Sequence, residues 1–198
     1  LGVELPRTIK LPIGPMSTIA RLTIDQYDRM IAAGILREDQ RVELIHGELR
    51  EMSPIGPDHE TAVDKFTEWS FESLPKKKVW VRVQNSVGVP ELDSAPQPDI
   101  VWVTRRDYRS GRPTADDVLL IVEVAESSLR FDQGEKAELY ATAGVKDYWL
   151  VNLVDQSIEV RRSPGRGTYR ELKVYSGRDK VIPLAFPKIA LPVKLIFG

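Results

Sequence analysis

Residues 119–128 read LLIVEVAESS, which opens as an apolar run with a carboxylate, Glu123, set inside it. A short strand with little polar alternation is expected where both faces of a sheet are covered. An ionised carboxylate in such a strand costs several kcal/mol unless something pairs with it. Upstream, DIVWV at 99–103 is a second strand of the same kind, with Asp99 at its mouth and Pro98 keeping the chain before it extended. Strands that follow one another in sequence tend to be neighbours in a sheet, so pairing these two brings Asp99 and Glu123 to one end. Carboxylates brought together repel, and a divalent cation removes the conflict. Each residue also has a plainer reading. Asp99 caps a strand, and Glu123 pairs with one of the many arginines.

Outward from these strands the chain interleaves helices and strands. Thr23 caps a helix over TIDQYDRMIAAG, with Ile24, Tyr27 and Ile31 on one face and Gly34 as its stop. RVELIHGELREM (41–52) alternates on both sides of His46-Gly47 and predicts a hairpin. The spacing of Ala62, Val63, Phe66 and Trp69 or Ser70 predicts a helix from about His59 to Leu74. VWVRVQNSVGV (79–89) alternates like a strand. A helix is expected from about Phe131 to Ala143, then a strand over DYWLVNLV, a partner over SIEVRR, a turn at SPGRG and a strand over TYRELKVY. The proline-rich tail reads as a short strand and a docked terminal segment. This pattern predicts an α/β fold with a mixed sheet. It is organised as an irregular arm over 1–22, without the features of a signal peptide, and one domain over 23–198.

Composition narrows the chemistry. The 198 residues include no cysteine and two histidines, His46 and His59. Disulfides, thiolate chemistry and Cys-ligated zinc are excluded, which fits a reducing cytoplasm. A metal would be held mainly by oxygen, which favours magnesium, manganese or calcium. No apolar run approaches the ~20 residues that cross a bilayer, so no membrane partner is expected. The net charge of −1 gives no bulk support for nucleic-acid binding. Three basic clusters could supply a local surface: Lys76–Lys78; Arg105, Arg106, Arg109 and Arg112; and Arg161, Arg162, Arg166 and Arg170. The plainer reading of each is a solvated loop.

The pair Pro98-Asp99 followed by Glu123 resembles the PD-(D/E)xK nuclease superfamily. The wider order of blocks is more specific: VELIHGELREMSP, His59 opening a helix, QPDIVWV, then LIVEVAESSLRFDQGEKAELYATAGVKDYWLVN. Together they resemble the Uma family of restriction endonucleases over roughly residues 23–162. The resemblance implies a restriction-endonuclease-like fold, with a central mixed sheet flanked by helices and extended by antiparallel strands. It also implies magnesium- or manganese-dependent hydrolysis of phosphodiester bonds in DNA. Asp99 and Glu123 would bind the metal, with Glu43 and the Val124 carbonyl as further ligands. The superfamily lysine two residues after the glutamate is replaced here by Ala125, and Lys136 of the following helix matches the lysine of the family. Its plain alternative is an i,i+4 salt bridge to Asp132. His59 is expected to touch phosphate or orient a ligand, or only to pack or cap. Gln97 could line the site, and Glu48 faces away from Glu43 on its hairpin. RNA is an alternative substrate, and relatives of this fold are often homodimers, which the apolar FPKIALPVKLIF tail would suit. The competing reading is a weak or inactive nuclease-fold protein that serves as a nucleic-acid-binding or assembly module, since Ala125 carries no charge.

Overall fold

The computed structural model describes residues 19–37 and 39–198. The predicted arm therefore lies outside the described residues as far as position 18. Helix α1 (Ile24–Ala32) opens with a capping box: the Thr23 hydroxyl accepts the Gln26 N–H, and the Gln26 side chain accepts the Thr23 N–H. Tyr27 is its buried anchor, packed on Leu44 and Ala95. Ile31, expected on the same face, is exposed, and Leu36 from the turn after the helix joins the cluster instead. The hairpin forms as β1 (Val42–Ile45) and β2 (Glu48–Glu51), with His46 and Gly47 both at positive φ. Two positive φ angles are what a two-residue hairpin turn requires. Helix α2 (Pro57–Ser73) begins two residues before His59, with proline in its first turn where the missing N–H costs nothing. Its inner face carries His59, Ala62, Val63, Phe66, Trp69 and Ser70.

The main sheet has six strands, in sequence order across the sheet: β3 (Val79–Val83), β4 (Ile100–Thr104), β5 (Val118–Ala125), β6 (Asp147–Asn152), β7 (Ser157–Gly165) and β8 (Thr168–Ser176). Only β5 and β6 run parallel; every other pair is antiparallel. A parallel step needs a crossover. It is made here by α3 (Leu129–Phe131), a π-helical turn (Asp132–Lys136) and α4 (Ala137–Thr142). The two largest differences from the sequence reading of the strands are at the ends of β3 and β7. β3 stops at Val83 because Gln84 turns to φ +51°, where the ladder cannot continue. β7 runs through Ser163 at φ +57° as far as Gly165, so only Arg166 and Gly167 remain for the turn.

The central strands β4, β5 and β6 are buried on both faces, while β8 is largely exposed. On one face α2 sets Phe66 and Trp69 against Trp102 and Trp149. On the other, Ala137 and Tyr140 cover Val101, Ile121 and Tyr148. The tail forms β9 (Lys180–Val181), β10 (Leu191–Pro192) and α5 (Val193–Phe197). It is not left free for a partner: Val193 and Ile196 are buried in the core beside α2, and Lys65 Nζ binds the carbonyls of Ile196 and Gly198 at 3.1 and 2.8 Å. Among the described residues no helix is long and apolar enough to cross a membrane.

Candidate active site

The register of β4 on β5 pairs Ile100 with Val122 and Val101 with Ile121, which sets Asp99 opposite Glu123. The two are laced together. Asp99 N–H donates to Glu123 Oε2 at 3.3 Å, and Val124 N–H donates to Asp99 Oδ2 at 2.9 Å. His59, from the first turn of α2, places Nε2 3.1 Å from Asp99 Oδ2, and its Nδ1 is buried without a partner.

Glu43 approaches from β1. Its Oε2 accepts the Gln97 N–H at 2.9 Å. The Gln97 side-chain amide turns instead to the Val42 carbonyl, so its backbone rather than its amide serves the site. Glu48, expected to face away from Glu43, shares its face instead, because the two-residue turn pairs Ile45 with Glu48 and Glu43 with Arg50; its carboxylate is taken up by Arg21 and Arg50 rather than by the site. Lys136 ends the π turn with Nζ 3.1 Å from Glu123 Oε1, 3.2 Å from Glu43 Oε1 and 3.9 Å from Asp132 Oδ1. The local i,i+4 contact is thus the longest of the three, and the cation of Glu123 is this lysine rather than an arginine. Tyr140 escapes the sequence reading: it donates its hydroxyl to Glu123 Oε1 at 2.7 Å. Asp132, expected only as a local partner of Lys136, lies beside it with its carboxylate held by Ser128.

The electrostatics follow from burial. Desolvation pushes Glu123 well above the usual carboxylate range, with Lys136 opposing it and Asp132, Asp99 and Glu43 adding to it. Asp132 is raised by burial to about 6. Burial works against the Lys136 ammonium too, but the charges of Glu123, Glu43 and Asp132 outweigh it and the lysine stays protonated. Burial also raises Tyr140, so it remains a hydroxyl donor.

These groups line a cavity of about 330 Å³ whose wall includes Glu43, His59, Asp99, Glu123, Asp132 and Lys136, under the loop from Met52 to Gly56. Among the described residues no group of three or more His, Asp and Glu side chains is gathered as a metal cage. The two apposed carboxylates nevertheless fit a hard divalent cation. Among the described residues Asp99 Oδ1 meets only Gln84, at 3.5 Å, and Glu123 Oε2 accepts only one long hydrogen bond. Magnesium typically takes one or two carboxylates and keeps several waters. Glu43 is committed differently, with its oxygens engaged by Gln97 and Lys136.

The family model that matches residues 24–194 is Uma2, described as "Putative restriction endonuclease". No curated protein matches the chain. Among solved structures, a "putative nuclease belonging to DUF820" from Anabaena variabilis ATCC 29413 is similar at 16% identity and a TM-score of 0.69, over 89% of this chain and 97% of that one. At that identity the likeness establishes the fold, a mixed sheet between helices.

Proposed function

The chain belongs to the Uma2 family, and from that premise we propose that it is a metal-dependent endonuclease that hydrolyses phosphodiester bonds in DNA. The observation that carries this reading is the apposition of Asp99 and Glu123, with the Lys136 ammonium 3.1 Å from Glu123, on the wall of one cavity. In this reading Asp99, Glu123 and the Val124 carbonyl would hold a magnesium or manganese ion. Such an ion lowers the pKa of a bound water and neutralises charge on a phosphoryl oxygen.

The rest is done by the chain's own side chains. Lys136 supplies a fixed positive charge inside a low-dielectric pocket, where it offsets negative charge growing on the phosphate. Glu43 holds that lysine in place and adds to the negative potential of the site. Tyr140 fixes the orientation of Glu123, and His59 does the same for Asp99. Val124 N–H and Asp99 N–H lock the two carboxylates to each other's strands, so they need little reordering when substrate arrives.

The test is cleavage of supercoiled DNA, linear DNA and RNA by purified protein with magnesium, with manganese and with chelator. Cleavage of DNA that needs the cation and is lost in Asp99→Ala supports the reading. Manganese should also raise the melting temperature of wild type by mass action, but not that of Asp99→Ala. Cleavage that survives both the chelator and Asp99→Ala would overturn the assignment. So would a protein that gains no stability from either cation and cleaves nothing.

A further inference from the structure

We propose that the outer end of the sheet, beside edge strand β3, is a track that carries a single-stranded segment of nucleic acid toward the cavity. Alternation along β3 puts Trp80 and Arg82 on one face, paired with Val103 and Val101 of β4. Val103 and Val101 are themselves fully buried, so the partly exposed line runs along β3, through Arg82 to Gln84, whose side-chain amide lies 3.5 Å from Asp99 Oδ1. From the level of Trp80 to Asp99 is four strand residues, about 14 Å. That is about four nucleotides at the ~3.4 Å rise of a stacked strand.

The surface at the Trp80 end is built of flat groups. The Trp80 and Tyr108 rings lie 6.0 Å apart. The Arg105 guanidinium lies over Trp80 at 5.2 Å, and those of Arg82 and Arg106 lie over Tyr108 at 5.5 and 4.9 Å. They border an open depression of about 750 Å³ together with Arg109. Arg106 and Arg109 are offset by Asp117 and Asp107. Among the described residues neither Arg82 nor Arg105 pairs with a carboxylate, and the exposed Lys76, Lys77 and Lys78 lie next to Arg105 through its bond to the Lys76 carbonyl.

Aromatic rings and guanidinium planes stack on bases, and uncommitted arginines take phosphates. Paired bases have their faces covered by their neighbours, so this chemistry selects an unpaired strand. An acidic polypeptide would satisfy the arginines but would gain nothing from the rings. The proposal rests on the nuclease reading only for what lies at the end of the track, and binding can be measured without chemistry.

The experiment is fluorescence titration of the whole protein, in chelator, with an oligothymidylate of about 12 nucleotides, within the ~4–16-nucleotide footprints of single-strand grooves. Trp69, Trp102 and Trp149 are buried, so Trp80 is the tryptophan a stacked base can quench. Quenching should accompany binding of the single strand, with a duplex of the same length bound at least about tenfold more weakly. Trp80→Phe keeps a stacking face and should keep the affinity, measured by anisotropy of a labelled strand, while losing the quench. Arg82→Gln with Arg105→Gln should weaken binding about tenfold or more and lower the salt slope by about 1.4, the value for two phosphate contacts on a single strand.

Unchanged affinity in the double variant would overturn the track. So would equal binding of the duplex, a quench that survives Trp80→Phe, or competition by polyglutamate as effective as by the oligonucleotide. A protein that binds the strand here yet cleaves nothing refutes the nuclease reading alone. One that cleaves DNA with the same KM in wild type and double variant refutes the track alone.

Discussion

Replacing Lys136 with methionine keeps most of the stem and removes the one charge that three buried carboxylates share. Glu123 and Glu43 each lose a contact near 3.1–3.2 Å, and Asp132 loses a weaker one at 3.9 Å. Removing one partner of a buried ion pair typically costs about 3–5 kcal/mol, because the remaining charge stays desolvated. In a chain of this size that lowers the melting temperature by about 6–20 °C. The penalty has a pH signature. Without the ammonium, Glu123 rises further above a value that burial already raises, so it protonates more readily. Protonation relieves the unpaired charge, so the difference between wild type and variant should be largest near about pH 8 and shrink toward about pH 5. A divalent cation should recover part of the loss, since it supplies the missing charge. Urea denaturation of both proteins at the two pH values, with chelator and with manganese, measures all of this. A penalty that is the same at both pH values would mean that the lysine contributes packing alone. Equal stabilisation of wild type and variant by manganese would mean that the cation and the lysine do not share these carboxylates.

Other perturbations test other parts of the site and its support. Asp132→Asn should flatten one component of the stability–pH curve. Its folded pKa of about 6 lies above the usual 3.8, so wild type binds the proton more tightly when folded and loses stability as pH rises from about 4 to about 6. The wild-type-minus-variant difference across that window should be of order 3 kcal/mol. Tyr140→Phe removes a 2.7 Å bond to Glu123 and should cost about 1.5–3 kcal/mol in urea denaturation near neutral pH, the range for a bond to a charged group. Asp147→Ala leaves the Trp149 indole N–H, the Arg162 guanidinium and the Leu184 N–H without their shared acceptor. It should cost about 3–5 kcal/mol and expose the 182–184 segment to proteolysis, while leaving cation binding at the site unchanged.

The face-to-face placement of Asp99 and Glu123 was legible because two apolar runs in succession, each with one acid, leave few ways to pair. Glu43 could not be told from Glu48 by alternation, because the two-residue turn returns both to one face of the hairpin, and only the neighbouring arginines take Glu48 away from the site. Tyr140 escapes a hydropathy pattern, which does not register the hydroxyl at the end of a buried ring. The three-way sharing of Lys136 was hidden for a different reason. A lysine four residues after an aspartate has an adequate local explanation, and only tertiary packing brings two glutamates closer. The π turn that presents Lys136 left one faint trace, Gly134 in the middle of an otherwise helical pattern. The left-handed residues that end β3 and carry β7 past its expected turn, Gln84 and Ser163, are not glycines, so nothing in their identity marks the change of direction.

The departure at position 125 finds its explanation in the same packing. Ala125 follows Glu123 by two and lies on the same face of β5, fully buried in the cluster that holds Ala137 and Tyr140. A lysine there would have to thread its stem between the sheet and the crossover helix that covers it, and the close approach of that helix is what brings Tyr140 within 2.7 Å of Glu123. Supplying the ammonium from the covering helix removes the conflict: the alanine lets the helix come near, and nearness lets a residue on the helix reach the carboxylate. The small side chain at 125 and the charge at 136 are therefore two parts of one arrangement, and the alanine by itself does not argue for a site without its cation.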